Sequence, residues 1–290
     1  MLQYNLPHDT HIGSVQLQVS DLKTALAFYQ ELLGFQLYEK TNNKAFLSAN
    51  GISPALLVLV SNPAAKPKET HTTGLYHFAI RLPNRSVMGA LLIRLLESQW
   101  PIYGGSDHLV SEALYLADQD GNGIEIYIDR PRESWPIKNG MVEMVSEPLD
   151  FRGLINAARE NDTTWRGIHP ETDIGHIHLQ VSDLLQSEKF YNQVLGLEVT
   201  QRNYPGALFL AAGGYHHHIG LNTWNSKSAP PSSADHIGLI AYELRIPDGS
   251  ARQELLKRLT KSKLTLTEPF IHYHPDQIMV SDPDSIHLLI

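Results

Sequence analysis

Cysteine is absent from the sequence. Its absence excludes disulfides, zinc–thiolate centres, iron–sulfur clusters and thiol nucleophiles. Long apolar runs are missing too. None approaches the ~18 residues a membrane span needs. The opening "MLQYNLPHDT" lacks a charged-then-apolar leader, so no signal peptide is expected and a cytoplasmic address is the default. Basic residues are outnumbered, 23 Lys and Arg against 31 Asp and Glu, for a net charge of −8. No Lys/Arg-rich stripe is present, so neither a nucleic-acid nor a membrane partner is expected. There is no Gly-rich phosphate loop. There is no G-x-S-x-G elbow either, which leaves a serine hydrolase without support.

Histidine is what the sequence has in excess: 15 copies, three of them consecutive at 216–218. It is the commonest metal ligand and the usual proton carrier near neutral pH. The triplet is internal and sits in apolar, strand-like surroundings, unlike a tag.

The second feature is repetition. "IGSVQLQVSDL" at 12–22 returns as "IGHIHLQVSDL" at 174–184. Each copy runs into a helix. In the first, Ser20 or Asp21 caps, Leu22, Leu26, Tyr29 and Leu33 form the apolar stripe, and Gly34 closes. In the second, Ser182 or Asp183 caps, Phe190, Tyr191, Val194 and Leu195 form the stripe, and Gly196 closes. Three short strand-like runs follow each helix. Two weaker copies begin at "GLYHFAIRLPN" (74–84) and "GLIAYELRIPD" (238–248) and lead into further amphipathic helices. The chain therefore reads as α+β, four βαβββ modules. Residues 1–129 hold modules one and two, and 173–290 hold modules three and four. Residues 130–172 form a connector with a helix expected at "DFRGLINAARE". Aligned, the four modules place Ser14, His77, His176 and Ala241 in one equivalent slot.

Strand alternation tests that slot. In "HIHLQV", Ile177, Leu179 and Val181 take the packing face, and His176, His178 and Gln180 take the other. In "HFAIRL", Phe78, Ile80 and Leu82 pack, while His77, Ala79 and Arg81 face the opposite way. Near the end of module two, Asp-Gly-Asn-Gly marks a hairpin turn. Beyond it Glu125, Tyr127 and Asp129 alternate with three isoleucines. Two histidines and a carboxylate on one face suit a non-heme Fe(II) site, or Mn(II), with open coordination positions. The ligand set expected is His77, Glu125 and His176. Module four carries Ala241 in the histidine slot and no Glu in its last strand, where His287 or Leu289 occupies the slot. Modules two and three should then share the metal cup, and modules one and four a cup without metal. A lower-ranked pairing of modules three and four would use His176, His236 and His287. His8, His11, His71, His169 and the "HYHP" at 272–275 read as flanking, linker, loop or strand-end histidines.

Four βαβββ modules resemble the vicinal-oxygen-chelate superfamily of glyoxalases, bleomycin-resistance proteins and extradiol dioxygenases, over nearly the whole chain except the connector. That resemblance implies modules paired into two curled mixed sheets, with a metal in a concavity. The stretch 106–128 resembles the extradiol signature through His108, Leu114, Tyr115, Asp118, Asp120, Gly121 and Glu125, with Gln119 where proline is usual. "GLYHFAI", "SEALYL", "DGNGIE", "GHIHL" and "GGYHHHIGLN" are similar to catechol 2,3-dioxygenases of bacilli. The resemblance implies His218 as acid–base histidine, with His108 and Tyr115 beside the substrate. It implies Fe(II) as cofactor, a catechol-type ring and dioxygen as reactants, and allows a homo-oligomer. Two alternatives share the fold: a metal-dependent lyase or transferase, and a non-catalytic small-molecule binder. Gly220 stands where glyoxalase-type enzymes carry a further glutamate ligand.

Overall fold

The structure is a computed structural model that describes residues 4–271 and 276–290; the "HYHP" at 272–275 lies outside the described residues. Module one comprises β1 (His11–Val19), α1 (Leu22–Leu26), β2 (Gln36–Lys40), β3 (Lys44–Ser48) and β4 (Leu57–Ser61). Module two comprises β5 (Gly74–Arg81), α2 (Arg85–Glu97), β6 (Gly104–Asp107), β7 (Ser111–Ala117) and β8 (Gly123–Asp129). The connecting segment holds the two-residue strands β9 (Ile137–Lys138), β10 (Met141–Val142) and β11 (Glu147–Pro148), then α3 (Phe151–Glu160). Module three comprises β12 (Asp173–Gln180), α4 (Leu184–Glu188), β13 (Glu198–Gln201), β14 (Ala207–Ala211) and β15 (Ile219–Asn222). Module four comprises β16 (Gly238–Arg245), α5 (Gly249–Lys261), β17 (Met279–Ser281) and β18 (His287–Leu289). Among the described residues its second strand, the one after the helix, is reduced to a Thr267–Met279 bridge.

The helices start where their caps dictate. Asp21, Asn84, Asp150, Asp183 and Asp248 each accept from backbone N–H groups of the first turn, which otherwise lack partners. The two matching helices do not stay α-helical to their glycines. Each widens after its first turns: the N–H of Leu33 donates to Phe28 O, and that of Leu195 to Phe190 O, five residues back. The wide turns carry Tyr29 and Tyr191. The Tyr29 hydroxyl donates to Asp118 at 2.9 Å, joining module one to module two. The Tyr191 hydroxyl donates to Asp282 at 2.9 Å, joining three to four.

The sheets join the modules the other way. Nine strands run in the order β11-β6-β7-β8-β5-β12-β15-β14-β13, so modules two and three share one mixed sheet. Seven run β17-β18-β16-β1-β4-β3-β2, so modules four and one share the other. A single apolar core holds Phe78, Ile80, Ile124, Ile126, Ile177 and Leu179 from the nine-stranded sheet and Leu17, Leu59 and Leu244 from the seven-stranded one. The opposite faces of the sheets are free to carry chemistry. No helix among the described residues is long and apolar enough to cross a membrane.

Candidate metal centre

Three adjacent central strands, β8, β5 and β12, present Glu125, His77 and His176 to one point. Glu125 sits in mid-strand, with Ile124 and Ile126 turned into the core. The turn before it is fixed by Asp118, whose Oδ1 accepts the N–H groups of Asp120 and Asn122, both at 2.9 Å. Gly121 takes φ +83° there, a conformation that favours glycine. His77 follows on β5, where its neighbour Ala79 pairs with Glu125. His176 follows on β12 beside an irregularity in the pairing with β5, between Ile174 and His176. Gly175 occupies that irregularity, and a Cβ there would lie 1.7 Å from the Tyr127 hydroxyl. The Ile-Gly of the repeat therefore has a steric cause.

The three side chains are buried, and one donor atom from each lies within 4.8 Å of the others. Oε2 of Glu125 is 3.0 Å from Nε2 of His77 and 3.4 Å from Nε2 of His176. Burial pushes His176 down to about 4, against a smaller upward pull from Glu125, so its ring is neutral at neutral pH. Burial raises the Glu125 carboxyl, but His176 and His77 together pull it well below the ordinary range, so it stays ionised. Apart from that 3.0 Å approach to Glu125, which lacks hydrogen-bond alignment, the buried Nε2 of His77 has no partner among the described residues. A buried polar atom left so is costly. Two imidazoles and one carboxylate converging on one point resolve that cost if they hold a divalent cation. The donor set fits Fe(II) or Mn(II).

A cavity of about 230 Å³ opens beside this cluster. Its walls include Tyr76, Tyr115, His178, Phe209, His217 and Trp224, and among the described residues no lysine or arginine lines it. A larger hollow of about 530 Å³ lies at the other sheet, around Lys68, His236 and Phe270, away from the converging donors. His178 is buried and its Nε2 has no partner. Its ring lies over Gly220, directly across in register, where a Cβ would come within 2.9 Å of it. His108 and Tyr115 also meet at this cavity. Nδ1 of His108 faces the carbonyl of Val145, which can only accept, so Nδ1 carries the proton. Nε2 of His108 then accepts the Tyr115 hydroxyl at 2.6 Å. Burial, then Glu125, pushes the Tyr115 phenol well above its usual 10, so it remains neutral.

His218 does not take the place beside the substrate that the resemblance implies. The strand begins only at Ile219, and 216–218 are irregular, so a two-residue period does not reach back through the triplet. His218 stacks on Tyr215 at 4.9 Å and accepts the Ala212 N–H at Nδ1, outside the cavity lining. His217 lines the cavity instead, its ring 4.1 Å from that of His176. Burial and the surrounding imidazoles hold His217 well below 6.5. Of the other histidines considered, His236 and His287 lie at the seven-stranded sheet's hollow, apart from His176.

The model of the Glyoxalase/Bleomycin resistance protein/Dioxygenase superfamily matches residues 11–126 and 173–286. The chain belongs to this superfamily. A superfamily relative, the Catechol-2,3-dioxygenase of Bacillus subtilis (strain 168), is 46% identical over 247 residues, covering 84% of this chain and 85% of the relative. Among solved structures, a putative dioxygenase from Bacillus subtilis subsp. subtilis str. 168 superposes with a TM-score of 0.67 at 13% identity, over 99% of this chain and 86% of that one. Glyoxalase I from Zea mays gives 0.57 at 15% identity, over 97% and 92%. At those identities the structures establish the shared fold alone.

Sequence reasoning missed the aromatic wall of Tyr76, Tyr204, Phe209 and Trp224, because its members come from separate strands and loops. It also missed the cavity position of His217. Regular strand begins only at Ile219, so no periodic signal in the sequence marks which histidine of the triplet meets the cavity.

Proposed function

We propose that this superfamily member is an extradiol-type dioxygenase that opens an uncharged, one-ring catechol with dioxygen, giving a muconic semialdehyde that carries both oxygen atoms. The observation that carries the reading is the convergence of Glu125, His77 and His176 beside a small aromatic cavity. Those three would hold Fe(II), with Mn(II) equally suited to the donors. Ferrous iron, when bound, supplies a site for the diol and dioxygen and a path for electrons between them.

The chain's own groups do the rest. His217, neutral and on the cavity wall, receives a diol proton and returns it during ring opening. Tyr115, its hydroxyl hydrogen given to His108, keeps lone pairs that accept from a ring hydroxyl. Tyr76, Phe209 and Trp224 pack on the faces and edge of the ring and exclude water. A volume of about 230 Å³ suits one aromatic ring with a small substituent. A substrate carboxylate would meet one buried glutamate and, among the described residues, no lysine or arginine on the wall. The 46% identity to a named catechol 2,3-dioxygenase supports the same reading. Gly220, roofed by His178, leaves no room for the further carboxylate a glyoxalase-type site would use.

The test is anaerobic loading of the purified protein with Fe(II), then addition of catechol in air. A yellow ring-fission product that requires both iron and oxygen is the expected result. A loaded protein that consumes no oxygen with catechol or 4-methylcatechol overturns the reading.

A further inference from the structure

The same three strands that carry the candidate ligands carry a second polar row one side further out. Asp129 on β8, Arg81 on β5 and Asp173 on β12 form an ion-paired bracket, Arg81 to Asp129 at 3.0 Å and Arg81 to Asp173 at 2.6 Å. Asp129 also accepts the Tyr215 hydroxyl at 2.9 Å and Nε2 of His216 at 2.8 Å. Nδ1 of His216 lies 2.8 Å from Nδ1 of His217. The line Asp129–His216–His217 therefore runs from the bracket to the cavity wall.

Its protons can be placed by hydrogen-bond chemistry. A carboxylate taking three donors is ionised and accepts only, so Nε2 of His216 carries its hydrogen. With one hydrogen on each ring, His216 directs its own from Nε2 to Asp129, and Trp135 packs on the buried His216 ring at 5.1 Å. Its Nδ1 is then a lone pair. His217 must donate to it from Nδ1, which leaves Nε2 of His217 as a lone pair. Among the described residues that nitrogen has no hydrogen-bond partner, and its ring faces the cavity.

We propose that Asp129 and His216 are positioning residues that lock His217 in its Nδ1–H tautomer and so keep Nε2 as a proton acceptor aimed at the substrate. The inference rests on the reading above in which His217 handles the diol proton. Two neighbouring imidazoles without the carboxylate would have no fixed sense; Asp129 supplies the direction.

The tautomer can be read without catalysis, by long-range proton–nitrogen NMR on histidine-labelled, metal-free protein. His217 is expected as Nδ1–H in the wild type. In Asp129→Asn the side-chain oxygen stays with Arg81 and Tyr215 and the amide donates to His216, which reverses the line and gives Nε2–H at His217. His216→Phe removes the acceptor and leaves a mixture. On the iron-loaded enzyme both variants should lose kcat by roughly 10²–10⁴-fold, with KM and iron per chain within about twofold. A wild-type His217 in the Nε2–H form overturns the proposal, as does iron lost in step with kcat. A wild type that shows the Nδ1–H form yet leaves catechol intact refutes the dioxygenase reading and still supports the assigned tautomer.

Discussion

Leu289 stands in the seven-stranded sheet where Glu125 stands in the nine-stranded one. The registers establish this: Ala79 pairs with Glu125 on the parallel neighbour, and Glu243, which the repeat aligns with Ala79, pairs with Leu289. The two histidine slots are likewise Ser14 and Ala241. Ala241, Met279 and Leu289 pack against one another there. Two cups of the same construction thus differ in whether two histidines and a glutamate meet at their centre.

One divalent cation per chain is the expected stoichiometry under anaerobic conditions. Saturating Fe(II) should raise the melting temperature of the wild type by several degrees, as a ligand at ~10³ times its Kd contributes ~4 kcal/mol. In Glu125→Gln the shift should vanish and metal affinity should fall by at least ~10²-fold. Two ions per chain, or an undiminished shift in the variant, refutes the assignment.

His217→Asn and His218→Asn should separate cleanly. The first is expected to cut kcat by roughly 10²–10⁴-fold with iron retained. The second loses an acceptor for the Ala212 N–H, costing about 1–3 kcal/mol of stability, and should keep kcat within about threefold. Steady-state oxygen uptake at matched iron content decides it, and equal losses would count against the placement of His217.

Gly220→Ala places a Cβ within 2.9 Å of the His178 ring and drives that ring toward the cavity. KM for catechol should rise more than kcat falls, because the intruding ring narrows the space where substrate binds. The fold should lose about 1–3 kcal/mol. An unchanged KM would show that His178 has room elsewhere.

Ring substituents should sort by charge. With no lysine or arginine on the cavity wall, 3,4-dihydroxybenzoate should have a kcat/KM at least ~10²-fold below that of 4-methylcatechol, because its carboxylate would be desolvated unpaired. Comparable values for the two would place a cation at the site.

Asp282 sets a pH dependence remote from the metal. Burial pushes its carboxyl up to about 7, from an ordinary 3.8, despite bonds from Ile286 N–H and Tyr191. Between those values the folded chain binds more protons than the unfolded one, so this group's contribution to stability falls as pH rises from about 4 to 7 and is level above. Asp282→Asn removes that slope. The melting-temperature difference, wild type minus variant, should therefore be larger at pH 5 than at pH 8, by on the order of a few degrees. A difference independent of pH over that range would falsify the shift.

The sequence alone determined the repeats, the caps and the alternating faces. These are local properties: a cap at Ser182 or Asp183, an apolar residue at every second position of β12, a turn at 118–122. They were enough to bring His77, Glu125 and His176 to the same side of their strands. Which modules share a sheet was legible only indirectly, from where the two histidines and the glutamate fall; the pairings themselves join residues about a hundred apart, such as His178 opposite His77. A like separation holds for the aromatic wall and for the line from Asp129 to His217. Their members gain proximity only when β8, β5, β12 and β15 lie side by side. The widened helix turns and the irregular backbone before Ile219 also escape a periodic reading. Both break the fixed residue spacing on which such a reading depends, so the tertiary structure alone decided which histidine of the triplet meets the cavity.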